Sequence, residues 1–275
     1  MSDGIQENVI DLMYAGLLSQ LKDTGERITT RNSNVRRKIG TTIVCPKTPL
    51  ISLRRTAWKN ALREMEWFLS GSSDINTLHP AVRSWWEPWA DKNTGVVGYN
   101  YGHQFRQFCG WGAVVDQIAL LLKGLRNHPY SRRNVITTWN TADMNNPFTP
   151  ITNCHGTVIQ CFVTADNRLD MITYQRSVDV VCGLPHNLIQ YWAFLMWLAY
   201  HSGRTPGQLG WIGGDVHLYE EHIPLADEII EEARKERITT PNLVYSPASE
   251  EFRADDFGLD GEYLPRIMTR AEMIV

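Results

Sequence analysis

The sequence lacks the features that would place the chain in a membrane, secreted or metal-binding class. Its longest apolar run, near residues 188–200, is shorter than the roughly 20 residues that cross a bilayer, so it predicts a buried helix. The first residues show no basic segment followed by an apolar one, so we expect no secretion signal. The five cysteines include no CxxC and no pair spaced for a metal, which favours a reduced, cytoplasmic protein without a metal.

An excess of positive charge is also missing. The 27 Lys and Arg residues are balanced by 30 Asp and Glu residues, and the net charge is −3. A protein that binds a nucleic-acid polymer is normally basic on one face, so we expect no such partner. A small anionic ligand stays possible, because it requires only a local group of arginines.

Hydrophobic periodicity divides the chain into helices and strands in irregular order, without repeats. We predict helices over 8–21, 53–69, 114–125, 188–201 and 217–236, the last interrupted by Pro224. We predict strands over 134–140, 157–164, 168–176 and 208–214, and short strands and turns beyond about 237. The basic stretch 22–39 is predicted to be a loop, Gly71 to end its helix, and Asp166-Asn167 to turn a hairpin. This order favours an α+β fold in one domain over 1–275.

Cys154, within Asn153-Cys154-His155, is the first candidate for chemistry. A cysteine beside a histidine is more often a buried structural thiol. However, arginines lie in two neighbouring segments, Ser131–Arg133 and Gln175–Asp179. Cationic side chains favour a thiolate and also bind phosphate, so the combination points to a reactive cysteine beside an anion site.

Further polar groups occur where the pattern is otherwise apolar. Glu64 interrupts the apolar stripe of its predicted helix and needs a partner or a function. Asn187, in the segment 183–187, can donate and accept at once, as the imide edge of uracil requires. His217 and Tyr219 follow two glycines and could bind a sugar hydroxyl, although a capped helix start explains both segments equally well.

The order of these motifs resembles the thymidylate synthase family over nearly the whole chain. The run SRR, NCH, YQRSVDVVCGLPHN and GGDVHLYEEH is similar to the family's catalytic half. In the N-terminal half the resemblance rests on Arg31, Glu64, Tyr101 and the tryptophans of WWEPWAD, and it ends on the tail AEMIV. It implies a large mixed sheet flanked by helices, with a homodimer formed through the sheet face.

The resemblance also implies roles for individual residues. Cys154 would add to C6 of the pyrimidine of dUMP, and 5,10-methylenetetrahydrofolate would be the co-substrate. The implied catalytic set is Cys154, Glu64, Tyr101 and Asp179. The implied nucleotide-binding set is Arg31, Gln175, Arg176, Ser177, Asn187, His217 and Tyr219, with Arg132 and Arg133 donated by the second subunit. The implied folate-binding set is Trp86, Trp89, Asp179, Cys182, Gly183, His186 and the terminal carboxylate of Val275.

Some positions depart from the family pattern and leave alternatives open. His186 stands where Phe is usual, Cys182 where Leu is usual, and Asn153 where Pro is usual. Glu66 is polar where many family members have an apolar residue, and in this it resembles the phage deoxycytidylate hydroxymethylases. A wetter pocket would favour a hydroxymethylase, in which water adds to the methylene intermediate. Asn187 argues for uracil, since the cytosine-specific branch usually carries Asp there. A non-catalytic, RNA-binding regulator on the same fold is a third hypothesis, which the intact Cys154 argues against.

Overall fold

The computed structural model describes residues 9–110, 112–146, 148–149, 151–235 and 239–274. Its helices are α1 (Val9–Thr24), α2 (Trp58–Ser70), α3 (Pro80–Arg83), α4 (Tyr101–Arg106), α5 (Gln117–Asn127), α6 (Leu184–His201) and α7 (Ile223–Glu232). Its strands are β1 (Glu26–Thr29), β2 (Asn34–Cys45), β3 (Phe108–Gly110), β4 (Ala113–Val115), β5 (Val135–Thr137), β6 (Val158–Val163), β7 (Arg168–Asp179), β8 (Thr205–Tyr219), β9 (Leu243–Tyr245) and β10 (Phe257–Leu259).

The main sheet has six strands in the order β1-β2-β8-β7-β6-β5. The β7–β8 pair is parallel and the others are antiparallel, so the sheet is mixed, as the resemblance implied. Helix α6 connects β7 to β8 and is buried on nearly every side, as its apolar composition predicted. One cluster of buried apolar side chains extends from Ile10 on α1 to Ile267 near the C-terminus.

Local signals placed several elements correctly. Gly71 ends α2 in the left-handed conformation, with φ of 82°, which a glycine adopts without a steric penalty. Strands β6 and β7 form the predicted antiparallel hairpin, and Asn167 in its turn has a φ of 59°. Helix α5 begins three residues later than predicted, because β4 occupies Ala113–Val115 and the side chain of Asp116 caps the helix by accepting a hydrogen bond from the N–H of Ala119.

The three largest errors concern segments in which contacts distant in sequence decide the structure. The stretch 22–39, predicted as a loop, contains β1 and the first half of β2, which pairs along β8. Residues 53–57 are not helical, because Leu53 and Arg55 exchange backbone hydrogen bonds with Ile267. The predicted helix 217–236 begins as the end of β8, and Pro224 lies in the first turn of α7, where it removes no helical bond.

The face of the main sheet that points away from the buried core presents apolar side chains to solvent. Residues paired across a sheet point to the same face. One such row runs Val44, Gly210, Ile172, Gln160 and Val135. Val44, Ile172 and Val135 are 43%, 38% and 41% exposed. No helix among the described residues is both long enough and apolar enough to cross a membrane.

Candidate active site

The candidate site lies where the parallel strands β7 and β8 end together. Asp179, at the end of β7, pairs in register with His217 of β8. The loop that carries Cys154 is attached to the same strand, because the backbone N–H of Arg176 donates to the carbonyl of Cys154 at 2.9 Å. The fold therefore brings together motifs that are more than 20 residues apart in the chain.

Cys154 is held by Tyr101, the first residue of α4. The Tyr101 hydroxyl lies 3.3 Å from Cys154 Sγ and accepts a hydrogen bond from the Cys154 N–H at 2.8 Å. Burial raises the pKa of Cys154, although the Tyr101 hydroxyl and the Arg176 charge act to lower it. Burial also raises the pKa of Tyr101, so its hydroxyl remains neutral. The arginine expected to favour a thiolate does so, but burial outweighs it in the free protein.

Behind the nucleophile, His155 is packed between aromatic rings. Its Nδ1 lies 2.8 Å from the Tyr191 hydroxyl, and its ring stacks on Tyr101 at 4.3 Å. Burial lowers the pKa of His155 to about 3, so the imidazole is neutral at physiological pH. His155 thus supports Tyr101 and Cys154 by packing and is not a charged neighbour of the thiol.

Gly156 allows this packing, and we expect Gly156→Ala to destabilise the fold by about 2–3 kcal/mol. Its φ is +56°, and a Cβ there would lie 2.0 Å from the Tyr191 hydroxyl. Tyr191 would have to move away from His155. Urea unfolding measures the change, with Gly16→Ala as the control. A Cβ on Gly16, in α1, meets nothing within 4 Å, so that change should stabilise slightly. Equal stability of the two variants would contradict this reading.

Glu64 projects from α2 and receives two hydrogen bonds. The Trp86 indole donates to Oε1 at 2.6 Å, and the Gln190 amide donates to Oε2 at 2.9 Å. Burial raises the pKa of Glu64 from 4.5 to about 7, although both donors act to lower it. A carboxyl that titrates near neutral pH is suited to proton transfer, which gives the interruption of the apolar stripe a chemical reason.

This raised pKa makes stability depend on pH. The native state holds the Glu64 proton more tightly than the unfolded state, so this group's contribution to stability falls as the pH rises from 4.5 to about 7. A pKa difference of this size corresponds to about 3 kcal/mol. We therefore expect Glu64→Gln to lose less stability than the unchanged protein between about pH 5 and about pH 8, as measured by urea unfolding. Parallel pH curves would contradict this expectation.

Of the candidate arginine ligands for phosphate, only Arg176 is tied to the loop that carries Cys154 within one chain. Arg176 is half-buried, bonds Asn153 O at 2.9 Å and Thr152 Oγ1 at 2.9 Å, and lies over the Trp139 ring. Arg31 is exposed in the turn between β1 and β2. Arg132 and Arg133 are exposed in the turn before β5.

The candidate nucleoside ligands lie on β7, α6 and β8. Asn187, in the first turn of α6, accepts a hydrogen bond from the Gln175 amide at 2.9 Å. His217 Nδ1 lies 3.0 Å from Asp215 Oδ1, and Asp215 pairs in register with Ser177. Tyr219 is buried at the end of β8, with its ring 5.2 Å from that of His217.

Asp179 is tied to the C-terminal segment. Its Oδ1 accepts from the N–H groups of Val181 and Cys182, and its Oδ2 lies 3.6 Å from His222 Nδ1. Burial acts to raise the pKa of Asp179, but His222 and the two N–H groups lower it overall. Both the Cys182 thiol and His222 Nε2 contact the carbonyl of Glu272, at 3.5 and 2.9 Å. The segment around Asp179 and Cys182 is thus linked to Glu272, close to the C-terminus.

Asp179, Cys182 and His222 also have donor atoms within 4.8 Å of one another, which is a possible metal geometry. Their charges do not favour a cation. Burial raises the pKa of Cys182, and Asp179 raises the pKa of His222. The positive charge of Arg54 acts on both Cys182 and His222. We therefore interpret the group as an ion pair that fixes Asp179.

Two of the remaining candidate folate residues, Trp86 and Trp89, form an aromatic wall. Trp86 is buried, with its ring 6.2 Å from that of the half-buried Trp89. His186 is held at both ring nitrogens, since Nε2 accepts from the Ala57 N–H at 3.1 Å and Nδ1 lies 2.7 Å from Cys182 O. Gly183 precedes α6, and a Cβ there would meet Asp179 O at 3.1 Å. Val275 lies outside the described residues.

Sequence reasoning did not identify several residues that contact this site. Those residues are Arg54, Gln190, Tyr191, Trp211 and His222. Gln190 and Tyr191 lie in the apolar run of α6, where only Gln190 is a clear polar interruption. It follows Asn187 by three residues and therefore shares its helix face, which is the signal that could have revealed it.

Known proteins are similar to this chain along nearly its full length. Residues 12–275 match the family model described as thymidylate synthase. Thymidylate synthases from two strains of Cereibacter sphaeroides are each 31% identical over 300 aligned positions, covering 95% of this chain and 98% of theirs. Thymidylate synthase from Zymomonas mobilis is 35% identical over 244 positions, covering 78% of this chain and 80% of its own.

Proposed function

This chain belongs to the thymidylate synthase family, and from that premise we propose that it converts dUMP to dTMP and 5,10-methylenetetrahydrofolate to dihydrofolate. It would therefore be a methyl-transferring enzyme of nucleotide biosynthesis. The observation that carries the proposal is the contact of the Cys154 thiol with Tyr101, beside a carboxyl that titrates near neutral pH.

Cys154 would act as the nucleophile. As its sulfur forms a bond to C6 of uracil, the C5–C6 electron pair moves toward O4 and C5 becomes nucleophilic. The pKa of Cys154 is raised by burial, so its proton must leave as the sulfur attacks. The Tyr101 hydroxyl and the Arg176 charge act in that direction, because both stabilise the thiolate.

Membership of the family supports the other proposed nucleotide contacts. Asn187 would read the base, and His217 with Tyr219 would hold the sugar hydroxyl. Arg31, Arg176 and Ser177 would bind the phosphate, with Arg132 and Arg133 of the partner subunit. Guanidinium groups bind phosphate through paired N–H donors, which suits this role.

The residues of the aromatic wall fit a folate. The half-buried indole of Trp89, beside the buried Trp86, can pack against a flat pterin ring, and the ionised carboxylate of Asp179 can accept hydrogen bonds from the N–H groups of the folate. Bound there, methylenetetrahydrofolate would supply the one-carbon unit and the hydride. The contacts of Cys182 and His222 with Glu272 O would hold the C-terminal segment near this wall, where it could exclude water.

Among the four unusual positions, the contacts of His186 support hydride transfer over hydroxymethylation. His186 is engaged by two backbone groups, and burial lowers its pKa to about 4. Asn153 donates to Thr138 O at 3.1 Å. Glu66 accepts from the Ala254 N–H at 2.9 Å. His186 is thus engaged at both ring nitrogens and Glu66 at one carboxylate oxygen, whereas the Oδ1 of Asn153 is buried without a hydrogen-bond partner among the described residues.

The exposed apolar row on the sheet supports a homodimer. Paired strands place Val44, Ile172 and Val135 on one face, and apolar rows of this kind are typical of subunit interfaces. Arg132 and Arg133 lie in the turn before β5, at the edge of the same sheet. A dimer through this face could therefore carry them to the partner's site.

Incubation of the purified protein with dUMP and methylenetetrahydrofolate tests the function. We expect dihydrofolate by absorbance and an equal amount of dTMP by mass spectrometry. A hydroxymethyl nucleotide with tetrahydrofolate would instead establish the hydroxymethylase. Absence of any turnover, with the nucleotide bound tightly, would support a binding protein.

A further inference from the structure

A continuous chain of hydrogen bonds runs through the buried polar side chains of the site. It passes in order through Trp211, Gln175, Asn187, Gln190, Glu64 and Trp86. Both ends are indole N–H groups, which donate and cannot accept. The donor-to-acceptor direction of these hydrogen bonds is therefore fixed at both ends. The two directions converge on the Glu64 carboxylate, which accepts from Trp86 on one side and from Gln190 on the other.

Gln190 has one possible amide orientation in this chain. Its two N–H bonds go to Ala61 O at 3.2 Å and to Glu64 Oε2 at 2.9 Å. Its Oε1 accepts from Asn187 Nδ2 at 3.4 Å. A flipped amide would place oxygen against two acceptors in a fully buried environment, where unmade hydrogen bonds are costly.

Asn187 is consequently fixed from two sides. Its Oδ1 faces the Gln175 amide N–H, which is itself oriented by Trp211 and by Ser177 O. Its Nδ2 faces Gln190 Oε1. What remains for a ligand is one lone pair on Oδ1 and one hydrogen on Nδ2.

The free lone pair on Asn187 Oδ1 and the free hydrogen on Nδ2 match the hydrogen-bonding edge of uracil and do not match that of cytosine. Uracil presents N3–H as a donor and O4 as an acceptor, which pair with Oδ1 and Nδ2 in the fixed orientation. Cytosine presents N3 as an acceptor and an amino group as a donor, so it would need the flipped amide. The flip would set N–H against Gln175 and oxygen against Gln190.

We propose that Gln190 is a positioning residue that locks the Asn187 amide for uracil and links this lock directly to the Glu64 carboxylate. The inference rests on the proposed function, in which Asn187 reads the base. Gln190 joins Asn187 to Glu64 through direct hydrogen bonds on both sides, so the connection does not depend on water.

Two substitutions separate the two halves of this role. Gln190→Met is similar in shape and removes both the acceptor for Asn187 and the donor to Glu64. Gln190→Glu keeps an acceptor for Asn187 but places a second carboxyl beside Glu64, so the two must share a proton. We expect the preference for dUMP over dCMP to fall about tenfold or more in Gln190→Met and to be retained in Gln190→Glu, whose kcat falls.

The measurement is the dissociation constant of each nucleotide, followed by tryptophan fluorescence, together with kcat for dUMP. Gln104→Met is the matched control. It also removes a buried amide, which bonds Tyr99 O and Asp143, and it should lower stability without changing the dUMP-to-dCMP ratio.

The outcomes are distinct. An unchanged ratio in a folded Gln190→Met, or an equal loss in Gln190→Met and Gln190→Glu, would overturn the proposal. If Gln190→Met does not fold, loss of the ratio in Gln190→Glu alone would overturn it, and retention with a lower kcat would support it. A parent protein that does not turn over dUMP would refute the proposed function, independently of these comparisons.

Discussion

Replacing Cys154 with serine is expected to reduce dTMP formation by about 10⁴-fold or more, because the hydroxyl is a far weaker nucleophile than the thiol. Serine is close to cysteine in size and can keep the contact with Tyr101, so the pocket should persist. Binding of dUMP should therefore change little. The measurements are dTMP by mass spectrometry and the dissociation constant of dUMP.

The covalent step has a separate readout. A complex of the parent protein with a nucleotide and folate analogue should survive denaturation as an adduct on Cys154, and the serine variant should not form it. Cys109→Ser is the matched control, because Cys109 is an exposed free thiol on β3. Serine at 154 with undiminished turnover would remove Cys154 from the mechanism.

Removing both charges of Arg132 and Arg133 is expected to weaken nucleotide binding by about 10²-fold or more, since each charged hydrogen bond to phosphate contributes about 1.5–3 kcal/mol. Both side chains are exposed in the isolated chain, in a turn at the sheet edge. If Arg132 and Arg133 act across a dimer, a partner subunit that carries both arginines should restore nucleotide binding to a subunit that lacks them.

Mixing two inactive proteins tests that repair. One carries Cys154→Ser with both arginines, and the other carries Arg132→Ala and Arg133→Ala with Cys154. After exchange of subunits, one site of each mixed dimer holds Cys154 and both arginines, so activity should return. Arg234→Ala, in the exposed turn after α7, is the control for loss of surface charge. Failure to recover activity in verified mixed dimers would place the arginines within their own subunit's site.

Much of the fold follows from short-range patterns. The apolar spacing of α2, the composition of α6, Gly71 and the Asp166-Asn167 turn are each interpretable within a few residues. The stretch 22–39 is not. Its charged side chains mask the strand pattern, and β2 exists because it pairs with β8, roughly 170 residues away. Residues 53–57 are not helical for the same kind of reason, because Leu53 and Arg55 bond Ile267.

The sequence by itself determined the candidate groups and the order in which they occur: a thiol, a carboxyl on an apolar stripe, arginines and an amide. Only the tertiary structure decided their properties. Burial sets the pKa of Glu64 near 7 and keeps His155 neutral. The meeting of α2, α6, β7 and β8 orients Gln190 between Asn187 and Glu64. Charge state and hydrogen-bond direction depend on neighbours that are remote in sequence, because desolvation and partner geometry arise only when the chain has folded.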